Sequence, residues 1–530
     1  MNQTHIPIDT IVVNSKIYSV DNQFRQFEAI AIDKGKILEL GTTKHLKKRY
    51  AAKELIDGKG RYVYPGLIDA HCHLLRYAKQ LKELDLFGAN SMDEVIDRTK
   101  QYAAANPNLK AIVGRGWNQN LWIPPEMPDN LKLNKEFPNI PVVLTRIDLH
   151  AAIANSAALQ QAGLIENPNS IDGGIVVLKN GFPTGLLIDN AIQKVVETLP
   201  ELSDDEFIRL LMKAQKNCLA VGLTTIGDAL VMPDEMRLLL NMETNNQLAL
   251  RINAMMLATE SNIEKYSKKG IQLYSKLTFR TFKFFADGAL GSRGAWLQEP
   301  YSDDPENVGI PMLNEELFIT QLNKIKSCGF QVATHAIGDA ANQFVLKCYS
   351  QVLTPGNNLR WRLEHAQIMP TQYLSIIRDY KVIPSVQPTH ATSDMYWVKD
   401  RIGNRLKNAY NFRQLLRHGG LLAMGSDFPV EDINPLLGFY AAISMKDLNG
   451  FPNGGFKPEE TITRKEALKA MTIWAAYAQF SENSLGSLEV GKQADLCMLT
   501  SDLMNIPENE VPNTEVLLTM VNGVIEHRII

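Results

Sequence analysis

The order of hydrophobic and polar positions divides the chain into three stretches. Residues 9–65 hold short β-rich runs, such as Thr10–Val13 and Ala29–Ile32, separated by turn residues. From about residue 67 onward, short apolar runs alternate with amphipathic helical segments, a pattern typical of repeated β-α units and a parallel sheet. The last fifty residues return to β-rich runs such as Ala494–Leu499. We therefore predict that both ends of the chain build one β-domain around a central barrel.

This division also predicts the domain boundaries. The β-domain takes residues 1–65 and 481–530, and the barrel takes residues 66–480. The span from about residue 85 to 190 is longer than one helix between two barrel strands requires, so we expect an insertion that covers the barrel mouth. Loops and insertions at that face of a barrel set substrate choice, which makes this span the predicted specificity element.

Composition limits the kinds of partner that the chain can have. Its 530 residues are 45% hydrophobic and 21% charged, as in ordinary globular proteins, and the formal net charge is -3. It has no long basic run and no apolar stretch of membrane length, so we expect no nucleic-acid partner and no membrane partner. The N-terminus lacks the basic start and apolar segment of a secretory signal, which predicts a cytoplasmic protein. The expected partner is a small molecule, and a homodimer is compatible with the sequence.

His71 and His73 are the most informative pair of residues. If Leu67 to His73 forms a strand, side chains at i and i+2 project from the same face, and the two imidazoles can converge on one cation. Because His-x-His is a short motif, two polar residues at a strand end are the alternative interpretation. The same alternation points Cys72 to the opposite face, so we exclude this cysteine as a ligand or nucleophile.

Four further polar residues lie at or near the ends of strand-like runs. Lys283 lies on the face opposite to its aromatic neighbours, and a lysine in such surroundings is neutral, paired, chemically modified or extended toward a strand end. His335 and His365 each end a short strand, and Asp427 follows an apolar one. Considered one at a time, such residues also occur as core histidines, helix caps or turn residues.

The order of these residues along the chain suggests one shared site. In a (β/α)8 barrel the carboxyl ends of all strands point to one mouth, so residues far apart in sequence can meet there. Imidazoles and a carboxylate suit zinc or a similar divalent metal, which can generate hydroxide near neutral pH. The candidate metal ligands are His71, His73, Lys283, His335, His365 and Asp427.

These motifs resemble those of the metal-dependent amidohydrolase superfamily, in particular the branch that contains the N-substituted formamide deformylases. The resemblance covers nearly the whole chain. It implies an α/β fold, a TIM-like (β/α)8 barrel with a small β-sandwich domain formed by both chain termini. The segments that carry the resemblance are Pro65–His73, Phe285–Gly288, His335–Asp339, Glu364–Gln367 and Gly425–Val430.

The same resemblance assigns roles to the candidate ligands. The implied ligands of one metal ion are His71, His73 and Asp427, and those of a second ion are His335 and His365. Lys283, carboxylated on its amine by carbon dioxide, would bridge the two ions. This modification would explain the lysine, because it replaces a buried cation with an anionic ligand. A site with a single ion stays open.

Several other residues are candidates for substrate contact. Trp117 and Asn118 belong to a segment rich in aromatic and amide groups, for which aromatic packing is the alternative interpretation. The resemblance places His150 near the site, where it could hydrogen-bond the substrate carbonyl. Arg293 has a structural charge pair as its alternative role. The remaining candidates are Asp287 and Gly288 after the lysine strand, and Gln387 and His390 after the strand Val382–Val386.

The predicted reaction is hydrolysis of an amide or formamide C–N bond in a small molecule by a metal-activated hydroxide, with Asp427 as proton shuttle. A deaminase or cyclic amidohydrolase that uses the same site is the alternative. A non-catalytic binding protein on the barrel scaffold is a further one, because a fold does not fix a function. The presence of all six candidate ligands favours an enzyme.

Overall fold

The computed structural model describes residues 5–107, 109–147, 151–168, 171, 174–200 and 202–529. The chain divides into two compact units, one with the residues up to Tyr77 and from Leu211 onward, the other with Ala78–Leu210. The span 85–190, predicted as an insertion, falls within the second unit. Among the helices of the described residues, none combines the length and the apolar character needed to cross a bilayer.

The first unit starts with short strands, as the β-rich runs predict. Helix α1 begins after Thr42, whose hydroxyl accepts a hydrogen bond from the amide of His45 and so caps the first turn. The elements that begin before the second unit are β1 (Ile6–Val13), β2 (Lys16–Tyr18), β3 (Gln26–Phe27), β4 (Ala29–Asp33), β5 (Lys36–Gly41), α1 (Thr43–Arg49), β6 (Tyr50–Asp57), β7 (Tyr62–Pro65), β8 (Leu67–Cys72) and α2 (Leu74–Gln80).

The second unit has a six-stranded mixed sheet of its own. Its elements are β9 (Leu84–Asp85), α3 (Met92–Ala105), β10 (Ile112–Trp117), α4 (Leu131–Glu136), β11 (Val142–Arg146), β12 (Ala151–Ala154), α5 (Ser156–Gln161), β13 (Gly174–Lys179), β14 (Phe182–Asp189) and α6 (Asn190–Val196). The strand order is β13-β14-β12-β11-β10-β9, with parallel pairs from β9 to β11 and antiparallel pairs from β11 to β13.

The rest of the chain alternates strands and helices before it ends in strands. These elements are α7 (Asp204–Ala220), β15 (Leu223–Val231), α8 (Pro233–Thr244), β16 (Arg251–Leu257), α9 (Glu260–Lys269), β17 (Gln272–Leu273), β18 (Leu277–Phe285), α10 (Glu315–Ser327), β19 (Gln331–Ala336), α11 (Asp339–Val352), β20 (Arg362–His365), α12 (Leu374–Asp379), β21 (Ile383–Val386), α13 (Pro388–Asp394), α14 (Val398–Ile402), α15 (Phe412–Gly419), β22 (Ala423–Met424), α16 (Pro435–Ser444), α17 (Arg464–Ala470), α18 (Ile473–Ala478), β23 (Leu496–Leu499), β24 (Val516–Val521) and β25 (Val524–Arg528).

Eight parallel strands of the described chain form a nearly closed barrel. Their order is β8-β15-β16-β18-β19-β20-β21-β22, and the short β17 pairs with the outer part of β18. The first and last strands meet through backbone hydrogen bonds just beyond β22, where the amide of Asp427 donates to the carbonyl of His71 at 2.8 Å. The amide of His73 donates in turn to the carbonyl of Phe428 at 2.8 Å. The predicted TIM-like barrel is confirmed.

The strands at the two ends of the chain form a β-sandwich. One sheet has the order β5-β4-β1-β6, and the other has the order β25-β24-β23-β7-β2-β3, which joins strands from both termini. Buried side chains of both sheets share one apolar core, including Val12 and Ile30 from the first sheet and Val63 and Met498 from the second. Both termini therefore contribute to a single sandwich, as the sequence predicts.

Candidate active site and metal centre

Because side chains alternate along β8, His71 and His73 both point into the barrel. Ile68 and Ala70 pack with Ala475 and Ala476 of α18 on the outside of the strand. His71 therefore points inward, and His73 follows on the same side. Their ring centroids lie 5.6 Å apart.

Asp427 lies between these two imidazoles. Its Oδ1 atom is 3.1 Å from Nε2 of His73 and 3.4 Å from Nε2 of His71. The close approach depends on Gly425, because a side-chain carbon at that position would lie 2.5 Å from the backbone nitrogen and oxygen of His71. The first and last barrel strands thus bring three of the predicted ligands together.

His335 and His365 continue the cluster along β19 and β20. Their ring centroids are 4.5 Å apart, and the ring of His365 is 4.9 Å from that of His71. His365 adopts a left-handed backbone conformation with φ of 68°, and Asp427 does so with φ of 61°. Such conformations are costly for residues other than glycine and are typical of functional sites, where the surrounding structure holds them in place.

Lys283 is completely buried in the middle of the barrel. Its Nζ atom has no hydrogen-bond partner and lies 4.8 Å from the centre of the Phe285 ring. Burial lowers the pKa of Lys283 to about 8, although the nearby carboxylates of Glu364 and Asp427 act in the opposite direction. A substantial fraction of the amine is therefore neutral near this pH.

The unpaired polar atoms of the cluster test whether it fits a metal ion. Buried polar atoms in folded proteins almost always have a hydrogen-bond partner. Among the described residues, the buried atoms without one include Nε2 of His71, Nζ of Lys283, Nε2 of His335, Nδ1 of His365 and Oδ1 of Asp427. Ligand atoms of His71, His365 and Asp427 all lie within 4.8 Å of one another. This donor set fits a divalent metal.

The protonation states also suit metal binding. Burial and the nearby Lys283 lower the pKa of His71, and burial with the neighbouring histidines holds the pKa of His365 well below its usual range. Burial acts to raise the pKa of Asp427, but the adjacent imidazoles of His71 and His73 outweigh it and hold this pKa well below its usual value. The imidazoles of His71 and His365 are therefore neutral and the carboxylate of Asp427 is ionised, as metal ligands must be.

Two buried carboxylates that we did not predict support the histidine strand. Asp69 accepts hydrogen bonds from the amide of His71 at 3.0 Å and from the hydroxyl of Ser426 at 2.6 Å, so it joins the first and last strands. Asp228 accepts a hydrogen bond from the amide of Leu75, just after His73, at 3.0 Å. Burial raises the pKa of Asp69 to about 7 and that of Asp228 to about 6. Asp69 belongs to the segment Pro65–His73, so its inward position could have been read from the strand alternation.

The predicted substrate contacts after the lysine strand have structural partners. Asp287 is buried, and its carboxylate accepts hydrogen bonds from the amides of Trp296, Ile337 and Gly338 at 2.8 to 3.0 Å. Its Oδ1 atom lies 3.4 Å from Nε2 of His335. These contacts favour a role in holding the segment after β19 over the predicted contact with substrate.

Gly288 and Arg293 belong to the same loop. The amide of Gly288 donates to the carbonyl of Gly294 at 3.1 Å, and these two backbone segments pack closely. The guanidinium of Arg293 donates to both oxygens of Asp303 at 2.9 and 3.2 Å near the surface. For Arg293, the structure thus favours the structural charge pair that the sequence left open.

His390, a predicted substrate contact, lies beside the cluster. Its Nε2 atom is buried, has no hydrogen-bond partner and lies 3.7 Å from Oδ2 of Asp427, while its ring is parallel to that of His365 at 5.9 Å. Gln387, at the start of the same helix α13, is also buried. The last residue of this helix, Asp394, accepts a hydrogen bond from Tyr410 at 2.7 Å, which fixes the helix.

The other predicted contacts belong to the second unit. Trp117 is completely buried in the apolar core of that unit, and its indole nitrogen donates to the carbonyl of Leu144 at 2.7 Å. The side chain of Asn118 accepts a hydrogen bond from the amide of Asn120 and caps a short 3-10 helix. Both contacts favour packing and capping over substrate binding. His150 lies outside the described residues.

Comparison with known proteins agrees with this geometry. The amidohydrolase family matches residues 54–527 of the chain. Amidohydrolase YtcJ of Bacillus subtilis (strain 168) is 32% identical over 521 residues, which cover 96% of this chain and 97% of the relative. The N-substituted formamide deformylase of Arthrobacter pascens is 25% identical over 540 residues, which cover 98% of each chain. The crystal structure of an uncharacterized metal-dependent hydrolase from Pyrococcus horikoshii OT3 superposes with a TM-score of 0.80 at 27% identity, over 94% of this chain and 99% of that one.

These likenesses extend over nearly the whole chain and include the strands that carry the clustered side chains. They confirm the predicted family and the predicted class of enzyme. The protein belongs to the amidohydrolase family and is a metal-dependent hydrolase that acts on carbon–nitrogen bonds other than peptide bonds.

Proposed function

We propose that this protein hydrolyses the C–N bond of a small amide, with N-substituted formamides as the preferred substrate class. The observation that carries the proposal is the convergence of unpaired, buried ligand atoms from His71, His365 and Asp427 at the mouth of the barrel. The name of the Arthrobacter relative, which matches this chain over 98% of its length, supports the formamide as substrate.

The proposed ligands fall into two groups. His71, His73 and Asp427 would hold one ion, and His335 and His365 would hold a second. Imidazole nitrogen and carboxylate oxygen suit zinc best among the common divalent metals, so zinc is the proposed ion. When bound, such an ion polarises the amide carbonyl and lowers the pKa of water toward neutrality.

Lys283 would join the two groups as a carbamate. Only the neutral amine reacts with carbon dioxide, and burial favours that form because it lowers the pKa of Lys283 to about 8. The amine nitrogen bonds to the carbon of carbon dioxide and a proton is released, so the product carries one negative charge shared by two oxygens in place of a buried cation. This exchange removes the energetic cost of an unpaired ammonium group in the interior.

Asp427 would move the proton of the reaction. Its carboxylate is ionised and faces the imidazoles, so it can accept a proton from the attacking water as the oxygen adds to the carbonyl carbon. The same carboxyl group then donates that proton to the amine nitrogen as the C–N bond breaks. The products are a carboxylic acid, formic acid for a formamide, and the free amine.

His390 would contact the substrate next to Asp427. Its unpaired Nε2 atom is 3.7 Å from Oδ2 of Asp427, close enough to the reacting group to donate a hydrogen bond to a carbonyl oxygen. This role agrees with the prediction from the sequence.

The proposal is tested by metal analysis and a substrate panel with the same protein. The purified enzyme is assayed for bound metal, stripped with a chelator and reloaded with zinc or manganese. Formamides and acetamides of the same amines, cyclic amides and amino-heterocycles are then compared by the release of amine or ammonia. We expect formamides to be cleaved faster than the matched acetamides, and only with metal bound.

Two variants make the test specific. His73→Asn removes a proposed ligand and should abolish both metal retention and activity, whereas His418→Asn, on the distant helix α15, should change neither. Amine release that persists after complete removal of metal would contradict the proposal. Ammonia release from amino-heterocycles without amide cleavage would indicate a deaminase instead.

A further inference from the structure

Arg362 and Glu364 form an ion pair inside the barrel. Both side chains are 0% exposed, and they project from the same face of β20 because they are two residues apart. Nε of Arg362 donates to Oε1 of Glu364 at 2.6 Å, and its second nitrogen, Nη2, donates to Oε2 at 3.0 Å. The pairing is therefore bidentate, the geometry in which Arg and a carboxylate bind most strongly.

The free side of this carboxylate faces a proposed metal ligand. Oε2 of Glu364 lies 2.5 Å from Nδ1 of His71. Both oxygens of Glu364 accept hydrogen bonds from the guanidinium of Arg362, so this carboxylate is an acceptor and Nδ1 of His71 donates to Oε2. Nε2, which faces Asp427, is then the unprotonated nitrogen with a free lone pair.

Arg362 also fixes the position of the carboxylate relative to the histidine strand. Its Nη2 atom donates to the carbonyl of Ala70, directly before His71, at 2.9 Å and to the hydroxyl of Ser385 on β21 at 2.9 Å. One guanidinium thus connects β8, β20 and β21 beneath the candidate metal centre. The ring of His71 is held at its Nδ1 edge and through the carbonyl that precedes it.

From these contacts we infer that Glu364 is a positioning residue for the metal centre. Glu364 selects the tautomer of His71 and directs Nε2 toward the metal, and Arg362 holds Glu364 in place. The inference rests on the proposed function insofar as His71 is a metal ligand. The choice of tautomer itself does not depend on that role. A carboxylate behind a metal-binding imidazole typically strengthens metal binding about tenfold to hundredfold.

Glu364→Gln is the informative variant because it keeps the shape of the side chain. Both oxygens of Glu364 accept from Arg362, which has only donors, so a glutamine amide can keep only one of these two hydrogen bonds. Nδ1 of His71 then faces either an NH2 group, which favours the tautomer protonated on Nε2, or a neutral amide oxygen in place of the carboxylate. Either outcome should weaken metal binding through Nε2. We expect the dissociation constant for zinc, measured by competition with a chromophoric chelator, to rise about tenfold to hundredfold.

Glu482→Gln is the matched control. Glu482 forms a bidentate pair with Arg360, with distances of 2.7 and 2.9 Å, and this pair has no contact with the histidine cluster among the described residues. The control should lower thermal stability without weakening zinc binding. Equal zinc affinities of Glu364→Gln and the wild type would overturn the inference, as would equal weakening in the two variants.

A spectroscopic measurement on the wild-type protein separates this inference from the proposed function. In metal-free wild-type protein with 15N-labelled histidine, the signal of His71, assigned with a His71→Gln variant, should show a protonated Nδ1 and an unprotonated Nε2. Protonation at Nε2 would overturn the inference even if zinc binds. If zinc does not bind to the wild type, the proposed function fails, and the tautomer alone decides the role of Glu364.

Discussion

The backbone amide of Asp427 donates to the carbonyl of His71 at 2.8 Å, and the side chains of the same two residues approach to 3.4 Å. The hydrogen bond that closes the barrel therefore joins two of the proposed metal ligands. Closure of the barrel and assembly of the site depend on the same short stretch of backbone. Binding of a metal should consequently stabilise the fold as well as support the reaction.

We predict that metal raises the free energy of unfolding in a way that requires His73. A ligand present at about one hundred times its dissociation constant adds about 2.7 kcal/mol of stability when it binds only the folded state. Denaturant unfolding with zinc and with a chelator should show this difference in the wild type and in His418→Asn. His73→Asn should show little or none, and an equal gain in all three proteins would indicate binding elsewhere.

Lys283 should make the stability of the metal-free, uncarboxylated protein depend on pH. Burial lowers its pKa from 10.5 to about 8, so the folded protein binds this proton less well than the unfolded chain. The free energy of unfolding is therefore highest above about pH 10.5, and this contribution of Lys283 is lost as the pH falls through about 8. The shift corresponds to roughly 3 kcal/mol, because one pKa unit is about 1.4 kcal/mol.

The measurement compares the wild type with Lys283→Met in buffers depleted of carbon dioxide. The difference in unfolding free energy between the two proteins should change in favour of the wild type between pH 8 and pH 10.5. A constant difference across this range would show that the lysine is not buried as a free amine.

Asp287 should be needed for the stability of the segment that carries His335. Its carboxylate accepts three backbone hydrogen bonds, and Asp287→Asn replaces one acceptor oxygen by a donor that faces an amide. A loss of roughly 1–3 kcal/mol in the free energy of unfolding is expected for one unsatisfied buried group. Asp303→Asn, which weakens the ion pairs of this exposed carboxylate with Arg293 and Arg401, should cost less than about 1 kcal/mol. Similar losses in the two variants would contradict this role of Asp287.

Trp117 should affect stability but not substrate binding. The indole is completely buried and donates to the carbonyl of Leu144, so Trp117→Phe removes a hydrogen bond and some packing inside the second unit. We expect a lower melting temperature with KM unchanged for the best amide substrate. A rise in KM without any loss of stability would support the substrate contact that the sequence suggested.

Much of the fold and of the site could be predicted because strand alternation is a local property. The spacing of His71 and His73 already placed both rings on one face, and the apolar neighbours Ile68 and Ala70 do pack outside the barrel. The ends of β19 and β20 likewise deliver His335 and His365 into one cluster. The spacing of polar and apolar residues within these short segments was sufficient to predict that part of the structure.

The supporting contacts could not be predicted in the same way. Glu364 contacts His71 across 293 positions of sequence, and nothing local to either residue specifies this partner. The left-handed backbone of His365 and Asp427 is imposed by the surrounding fold, since residues other than glycine adopt it uncommonly, even though His and Asp do so more often than most. A buried indole such as Trp117 also has the same sequence signature whether it packs in a core or lines a pocket.

An anomalous difference map from crystals of the metal-loaded enzyme, recorded at the zinc absorption edge, tests the proposed metal centre most directly. We predict a peak about 2.0 to 2.2 Å from Nε2 of His71 and of His73 and from Oδ1 of Asp427. A second peak near His335 and His365 would show two ions, and its absence would show one. A catalytically active crystal form with no peak at His71, His73 and Asp427 would contradict the proposed site.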